Sequence, residues 1–170
     1  TLISGPTHLN KPYGVKTIDI ITAKQMHDEI INRVQDFDYI IMSAAVGDYR
    51  CQNIAQEKIK KHEDTLTLQL QKNQDILLEM GQHKKPHQII CGFAMETQDL
   101  IENAKEKLQK KNCDMIVANH LKTKGAGFQG DTNVVSILTS ESIHHYDLMS
   151  KNDLAFEILN QMKKREEQKC

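Results

Sequence analysis

The segment Tyr39-Ile40-Ile41-Met42-Ser43-Ala44-Ala45-Val46-Gly47-Asp48-Tyr49-Arg50 joins an apolar run to an acidic residue, and Lys58-Ile59-Lys60-Lys61 follows after a short loop. In an open α/β sheet, ligands bind at the carboxyl ends of strands, where loops converge. There Asp48 can accept hydrogen bonds from a sugar or base, and Lys58 can hold a phosphate as a point charge. Taken alone, the segment also fits a buried strand that leads into a solvated, charged loop.

Strands and helices alternate outward from this segment. Apolar runs and capping residues predict strands at Ile18–Ile21, Asp38–Val46, Thr65–Gln71, His87–Ala94, Cys113–Ala118 and Val134–Leu138, with helices that begin at Thr22, at Asn73, at Thr97 or Gln98, and at Lys151. Alternating βα units predict an α/β fold with a mostly parallel sheet covered by helices on both faces. The apolar start at Thr1–Thr7 has the composition of a strand inside a fold, so we expect further chain before it.

The overall composition argues against several classes of protein. The 170 residues have a net charge of −1, 39% hydrophobic and 26% charged residues, which is typical of one globular domain without bulk attraction to nucleic acid or membranes. No apolar run approaches the roughly 20 residues of a membrane span. The four cysteines form no CxxC pair, which favours reduced thiols in a cytoplasmic protein. The histidines show no metal-ligand spacing either.

Common catalytic motifs are missing from these residues. There is no GxxxxGK[ST] loop, no GxGxxG fingerprint and no GxSxG elbow, and Gly125-Ala126-Gly127-Phe128 is most simply a turn. Two features besides Asp48 and Lys58 remain: the segment from Gly92 to Thr97 at a strand end, and Lys107 with Lys111 on one helix face. The simpler interpretations are a core role for Phe93 and a solvated helix surface for the lysine pair.

Taken in order, these features resemble one family closely: the phosphopantothenoylcysteine synthetases, the synthetase half of the bacterial bifunctional coenzyme A biosynthesis protein. The resemblance extends over nearly the whole chain. It rests on six motifs in the right order: Thr22-Ala23-Lys24-Gln25-Met26, Ala44-Ala45-Val46-Gly47-Asp48-Tyr49-Arg50, Glu57-Lys58-Ile59-Lys60-Lys61, Asn73-Gln74-Asp75-Ile76-Leu77, Gly92-Phe93-Ala94-Met95-Glu96-Thr97 and Asp114-Met115-Ile116-Val117-Ala118-Asn119. Gly47 stands where the family usually has alanine, and Gln74 where proline is common.

The resemblance implies a ligase that couples 4′-phosphopantothenate to L-cysteine with CTP and Mg²⁺, through an acyl-cytidylate, and releases CMP and pyrophosphate. Attack of a carboxylate on a phosphate brings two anions together, so cationic groups must neutralise the developing charge. By resemblance, Lys58 contacts the nucleotide phosphate and supports catalysis, while Lys107 and Lys111 hold the triphosphate. The ribose and base would be held, with Phe93 packing beside them, by Asp48 and by the backbone around Met42 and at Gln74, Asp75, Ile76 and Leu77. No metal ligand is identified.

The resemblance also bears on assembly and completeness. Segment 50–72 resembles the family's antiparallel dimerisation arm, so a Rossmann-like three-layer fold and a homodimer are expected. The family's first βα unit, with its "GPT.EPID.VR.ISN.SSG" segment, is not among these residues, so 1–170 is expected to be a ligase domain that lacks this unit. FMN would belong only to a fused decarboxylase domain, which is not represented here either.

Two other classes stay open. A nucleotide-binding module without ligase chemistry would need neither Lys58 nor the lysine cluster around it. A Rossmann oxidoreductase would show a glycine fingerprint after its first strand. Binding of CTP, ATP and NAD, compared in turn, separates the three.

Overall fold

The chain divides into two units whose segments interleave along the sequence. The computed structural model describes residues 1–60, 65–96, 98–120 and 130–169. The first unit is formed by Thr1–Asn32 and Ala45–Ile76, and the second by Arg33–Ala44 and Leu77–Cys170. Each unit has its own strands and helices.

The second unit is built around a five-stranded mixed sheet. Its strands, in the spatial order β3-β6-β7-β8-β9, are β3 (Tyr39–Met42), β6 (Ile89–Glu96), β7 (Met115–His120), β8 (Thr132–Leu138) and β9 (Ile143–Ser150). The β3–β6 and β6–β7 pairs are parallel, whereas β7–β8 and β8–β9 are antiparallel. Helical connections between the first three strands account for the parallel pairs, because a parallel partner requires a crossover.

Helices cover both faces of this sheet, and the apolar side chains of β7 point alternately to one face and the other. Met115 and Val117 pack on one face against α4 (Lys151–Lys169), and Ile116 and Ala118 pack on the other against α3 (Leu100–Lys110). A strand whose neighbouring residues are all apolar must bury both of its faces. The α/β fold with helices on both sides of the sheet is therefore confirmed.

The first unit contains two short strand pairs and one helix. Strands β1 (Leu2–Ser4) and β2 (Thr17–Asp19) pair in parallel, and β4 (Tyr49–Cys51) pairs antiparallel with β5 (Leu70–Lys72). Helix α1 (Ala23–Ile31) begins after Thr22, as predicted. The Thr22 side chain accepts the Gln25 N–H at 3.1 Å, and the Gln25 side chain accepts the Thr22 N–H at 3.0 Å. This reciprocal pair is a capping box.

Several predicted boundaries differ from the structure. The strand expected over 65–71 forms only at Leu70–Lys72, because its partner β4 offers three residues; 61–64 lie outside the described residues. Strand β3 ends at Met42 rather than Val46, where its pairing with Gly92 ends and the chain passes to the other unit. The helix expected from Thr97 or Gln98 begins at Leu100 after Asp99, and Thr97 is not described.

The helix expected to begin at Asn73 starts later. Helix α2 spans Ile76–His83, so Asn73 does not cap it. The Asn73 carboxamide instead donates to the Gly47 carbonyl at 2.7 Å and accepts from Arg50 at 2.7 Å. Tertiary partners have replaced the local capping role. Within the described ranges, no helix combines the length and the apolar character needed to cross a membrane.

Candidate functional site

Three of the predicted site residues meet around β6 in the second unit. Met42, the last residue of β3, pairs with Gly92, the neighbour of Phe93. The Lys107 Nζ atom, which comes from the half-buried side chain of a residue in α3, donates to the Phe93 carbonyl at 2.6 Å. An ammonium group has three protons to donate and this bond uses one. The structure thus holds a cation against the strand that the sequence associates with nucleotide binding.

Gly92 allows α2 to pack closely on β6. A β-carbon at this position would lie 2.8 Å from Leu77 Cδ2 and 2.9 Å from Ile116 Cδ1, both shorter than real contacts of this kind. Leu77 is buried, so its side chain serves packing and only its backbone lies near the start of the helix. Its predicted role in holding the base therefore rests on main-chain atoms.

Lys111 ends α3 one turn after Lys107. Its backbone N–H donates to the Lys107 carbonyl at 3.0 Å, and its side chain is half-buried. The Lys111 carbonyl lies so close to α2 that a β-carbon on Gly81 would be 1.8 Å from it. The end of α3 is thus held firmly, which fixes the positions from which both lysine side chains extend.

The loop at Asp48 is held by backbone contacts in the first unit. The Asp48 carbonyl accepts the Asn73 N–H at 2.7 Å, and the Asn73 side chain bonds to Gly47 and Arg50 on either side of Asp48. Asp48 itself is exposed. A carboxylate on a loop fixed in this way is suited to accept hydrogen bonds from a ligand hydroxyl.

Other predicted residues in the first unit stand at the start of α2 and in the loop before β5. Gln74 and Asp75 are exposed, and Ile76, the first residue of α2, is buried. Lys58 is exposed in an irregular segment, and Lys61 lies outside the described residues.

The ten predicted residues are thus divided equally between the two units. The first unit holds Asp48, Lys58, Gln74, Asp75 and Ile76, and the second holds Met42, Leu77, Phe93, Lys107 and Lys111. Met42, Phe93 and Lys107 come together in the second unit, while Asp48 and the residues before α2 are joined through Asn73 in the first.

A cavity that the sequence did not predict lies in the second unit, between α4 and the ends of β3, β6 and β7. Its volume is about 500 Å³. The Phe93 ring lines it, together with Met95 and the carboxamides of Asn119 and Asn133. Asn119 closes the motif that begins at Asp114, so the sequence contained a signal for it. Asn133 stands in no recognised motif.

A second unpredicted cluster lies on the α3 face of the sheet. Ser136, fully buried on β8, is within 2.7 Å of His120 Nε2 and within 2.7 Å of His145 Nδ1. Burial and the nearby His145 lower the pKa of His120. Because a hydroxyl has one proton, it can donate to only one of the two rings and must accept from the other. This arrangement favours a cluster in which at least one ring is neutral.

No metal centre is built by the described residues: no group of three or more histidine, cysteine, aspartate or glutamate side chains converges there. The three described cysteines, Cys51, Cys91 and Cys113, are unpaired. Burial raises the pKa of the Cys113 thiol to about 12, so this sulfur is not a reactive thiolate.

Comparison with known proteins places this geometry in a family. The model of the DNA/pantothenate metabolism flavoprotein C-terminal domain matches residues 1–165. The chain is 42% identical over 164 residues to the coenzyme A biosynthesis bifunctional protein CoaBC of Bacillus subtilis (strain 168), covering 95% of this chain and 40% of that protein. It is 39% identical over 162 residues to CoaBC of Vibrio cholerae serotype O1, covering 94% of this chain and 41% of that protein.

A solved structure agrees with these relatives. The crystal structure of the C-terminal domain of a CoaBC protein superposes with a TM-score of 0.80 at 36% identity, covering 98% of this chain and 76% of that chain. The chain spans about two fifths of the length of the curated relatives it matches. Since the family model covers nearly all of its residues, the chain belongs to the DNA/pantothenate metabolism flavoprotein C-terminal domain family, in agreement with its resemblance to the phosphopantothenoylcysteine synthetases.

Proposed function

We propose that this chain carries the phosphopantothenate–cysteine ligase activity of coenzyme A biosynthesis. The proposed substrates are 4′-phosphopantothenate, L-cysteine and CTP, and the products are 4′-phosphopantothenoyl-L-cysteine, CMP and pyrophosphate. Family membership supports the reaction class. The observation that carries the proposal is the Lys107 ammonium held 2.6 Å from the Phe93 carbonyl, beside Met42 and Gly92 at the paired strands.

The chemistry proceeds in two balanced steps. A carboxylate oxygen of phosphopantothenate attacks the α-phosphorus of CTP, and pyrophosphate leaves as the acyl–phosphate bond forms. The cysteine nitrogen then attacks the acyl carbon, the amide bond forms, CMP leaves and the amine loses a proton. The first step joins two anions, so its barrier depends on cations placed where negative charge accumulates. We assign this role to Lys58, Lys107 and Lys111.

The half-buried position of Lys107 strengthens its contribution. A charge pair interacts more strongly where the surroundings exclude water than at a fully exposed site. The hydrogen bond to Phe93 fixes the ammonium before the nucleotide arrives, so little reorganisation is needed. Asp48 and the backbone from Gln74 to Leu77 would bind the ribose and the base.

We expect the Mg²⁺ of the proposed reaction to bind together with the triphosphate of the nucleotide. The described residues form no carboxylate cage for it. Mg²⁺ keeps much of its water and is commonly held through substrate phosphates rather than by protein ligands alone. When bound, it would neutralise phosphate charge, while the lysines position the same oxygens.

A homodimer formed through segment 50–72 is part of this proposal. Leu66, Leu68 and Leu70 follow one another at every second position and are 66%, 60% and 58% exposed. Side chains at this spacing share one face of an extended chain. Three exposed leucines on one face favour burial against another copy of the chain.

The unpaired thiols agree with a cytoplasmic location, and any FMN would belong to a fused decarboxylase domain.

The test uses the natural polypeptide that contains this chain, supplied with phosphopantothenate, cysteine and Mg²⁺. We expect pyrophosphate and phosphopantothenoylcysteine to appear with CTP, and a much lower rate with ATP. Lys107→Gln should raise the KM for CTP about tenfold or more, whereas Lys110→Gln, an exposed neighbour on α3, should not. Nucleotide binding without product would favour the binding module, and equal rates with ATP would overturn the assignment of CTP.

A further inference from the structure

Asn73 joins the loop that carries Asp48 to the end of β5. Strand β4 begins directly after Asp48, and its partner β5 ends directly before Asn73. The Asn73 N–H donates to the Asp48 carbonyl at 2.7 Å, which continues the antiparallel register of the two strands by one step. Asp48 and Asn73 therefore face each other at the point where the strand pair ends.

Two further hydrogen bonds fix the Asn73 carboxamide. Its Nδ2 atom donates to the Gly47 carbonyl at 2.7 Å, and its Oδ1 atom accepts from Arg50 Nη1 at 2.7 Å. A carbonyl oxygen can only accept and a guanidinium can only donate, so these partners determine which end of the amide points to each of them. Asparagine satisfies both with one half-buried side chain. An aspartate at this position would leave the Gly47 carbonyl facing a second acceptor.

The three hydrogen bonds of Asn73 hold a segment that is otherwise exposed. Gly47, Asp48 and Arg50 are all exposed, so packing against a core does not fix their positions. Segments with few buried contacts open easily when their hydrogen bonds are removed. A ligand that binds a loosened loop must order it, which costs affinity. Asn73 therefore strengthens the binding of a ligand to Asp48 through the loop that it orders.

We propose that Asn73 is a positioning residue for the nucleoside part of the nucleotide and acts through Asp48. The inference rests on the proposed ligase function, in which Asp48 accepts hydrogen bonds from the ribose. The carboxamide holds the loop at Gly47 and Asp48, so the carboxylate is in place before the nucleotide arrives. Asn73 sets the affinity for the nucleotide and takes no part in the transfer of the acyl group.

The first test measures steady-state kinetics in the natural polypeptide that contains this chain. Asn73→Ala should raise the KM for CTP about tenfold, the scale of ordering a loop and its side chains on binding. The kcat at saturating CTP and the KM values for phosphopantothenate and cysteine should stay close to those of the wild type. The matched control is Asn10→Ala, which makes the same change at an exposed position of the same unit. A similar loss in kcat and in all three KM values would indicate a general structural defect and overturn the positioning role.

Asn73→Asp isolates the hydrogen bond to Gly47. The change retains the size of the side chain and an acceptor for Arg50, but it removes the donor. The KM for CTP should therefore rise about as much as in Asn73→Ala, and a wild-type KM would overturn the inference. Because its carboxylate can pair with Arg50, this variant also provides the kinetic test if thermal melting shows that Asn73→Ala does not fold.

A double-variant cycle tests whether Asn73 acts through Asp48. The effects of independent groups on affinity multiply, whereas effects that pass through one shared group do not. In titration calorimetry, the variant with both Asp48→Ala and Asn73→Ala should bind CTP about as weakly as Asp48→Ala alone. Losses that multiply would overturn the inference.

A nucleotide without ribose hydroxyls provides an independent measure of the same contact. The wild type should bind 2′,3′-dideoxy-CTP several-fold more weakly than CTP, because the hydroxyls that Asp48 accepts are missing. In Asn73→Ala the ratio of the two affinities should be closer to one. An equal ratio in the wild type and the variant would contradict a role in positioning Asp48.

The two proposals fail in different ways. If the wild-type protein forms no phosphopantothenoylcysteine with any nucleotide, the ligase function falls and the inference falls with it. If the wild type is active but Asn73→Ala and Asn73→Asp leave the KM for CTP unchanged, only the positioning role of Asn73 is overturned.

Discussion

At the scale of single residues, Lys58 and Lys107 differ in their surroundings, although the sequence analysis gave both a phosphate-binding role. Lys107 is half-buried and bonded to a strand carbonyl, whereas Lys58 is exposed in an irregular loop. A half-buried cation is fixed before its ligand arrives, but an exposed one must be immobilised by it, at a cost in side-chain entropy. The two lysines are therefore expected to act differently, Lys107 in nucleotide binding and Lys58 in stabilising the transferring group.

Lys58→Gln tests the second of these roles. The change retains most of the side chain's length but removes its charge, so formation of the acyl-cytidylate should slow by about 10²-fold, as for other groups that stabilise developing charge. Stability should not change, because Lys58 is exposed. Single-turnover kinetics and a denaturation curve measure the two effects, with exposed Lys163→Gln as the control. A normal rate in Lys58→Gln would make Lys58 part of a solvated surface.

The His120–Ser136–His145 cluster predicts a dependence of stability on pH. The pKa of His120 is lowered in the folded state, so the unfolded chain takes up a proton first as the pH falls. The stability that neutral His120 contributes is present above about pH 6.5 and is lost as the pH falls through the folded-state pKa. Urea midpoints at pH 7.5 and 5.5 should differ more for the wild type than for His120→Gln. His8→Gln, at an exposed position, should retain the wild-type difference.

At the scale of secondary-structure elements, two glycines differ in the space available for a side chain. A β-carbon on Gly81 would lie 1.8 Å from the Lys111 carbonyl oxygen, where α2 meets the end of α3. The same group on Gly47 would find its nearest neighbour, the Tyr49 carbonyl oxygen, at 3.6 Å. Close approach of two backbones therefore explains Gly81, whereas a β-carbon at position 47 would make only an ordinary van der Waals contact.

Gly81→Ala should destabilise the protein by about 2 kcal/mol or more, because α2 must move away from α3 and the gain in helix propensity is only about 1 kcal/mol. Gly47→Ala should change stability by less than about 0.5 kcal/mol. Chemical denaturation of both variants, compared with the wild type, measures the difference. If the two alanines are tolerated equally, α2 and α3 do not make this contact in solution.

At the scale of the whole molecule, one buried carboxylate joins several elements of the second unit. Asp114 is 6% exposed and contacts Lys84 after α2 at 3.1 Å, Lys169 at the end of α4 at 2.7 Å, and the Ile90 N–H of β6 at 2.8 Å. Two charged side chains converge on it from opposite layers. The network therefore ties helices on both faces to the sheet between them.

Asp114→Ala should cost about 3 to 5 kcal/mol, because it leaves Lys84 and Lys169 partly buried without their shared anion. Asp147→Ala, an exposed position on β9, should have little effect. Hydrogen exchange should show the loss of protection in β6, β7 and the end of α4 together. Loss confined to the turn around Asp114 would contradict a network that spans the layers.

Local sequence determined much about this protein. A strand made of an uninterrupted apolar run must bury both of its faces, so β6 and β7 were predictable as core strands. The Thr22 and Gln25 pair was likewise predictable as the start of a helix. The order of the motifs was enough to identify the family. These features depend on neighbours a few residues apart, whose effects are visible in a single sequence.

Only the tertiary structure decided the rest, because it depends on partners distant in the chain. The alternation at 65–71 predicted a long strand, but β4 offers only three residues to pair with it. Asn73 is of a residue type that commonly caps helices, but in the structure its side chain forms hydrogen bonds with Gly47 and Arg50 instead. The cavity pairs Asn119 with Asn133 across two strands, and Ser136 lies between two histidines from neighbouring strands. A local sequence pattern cannot predict these contacts, because they arise from strand order and register.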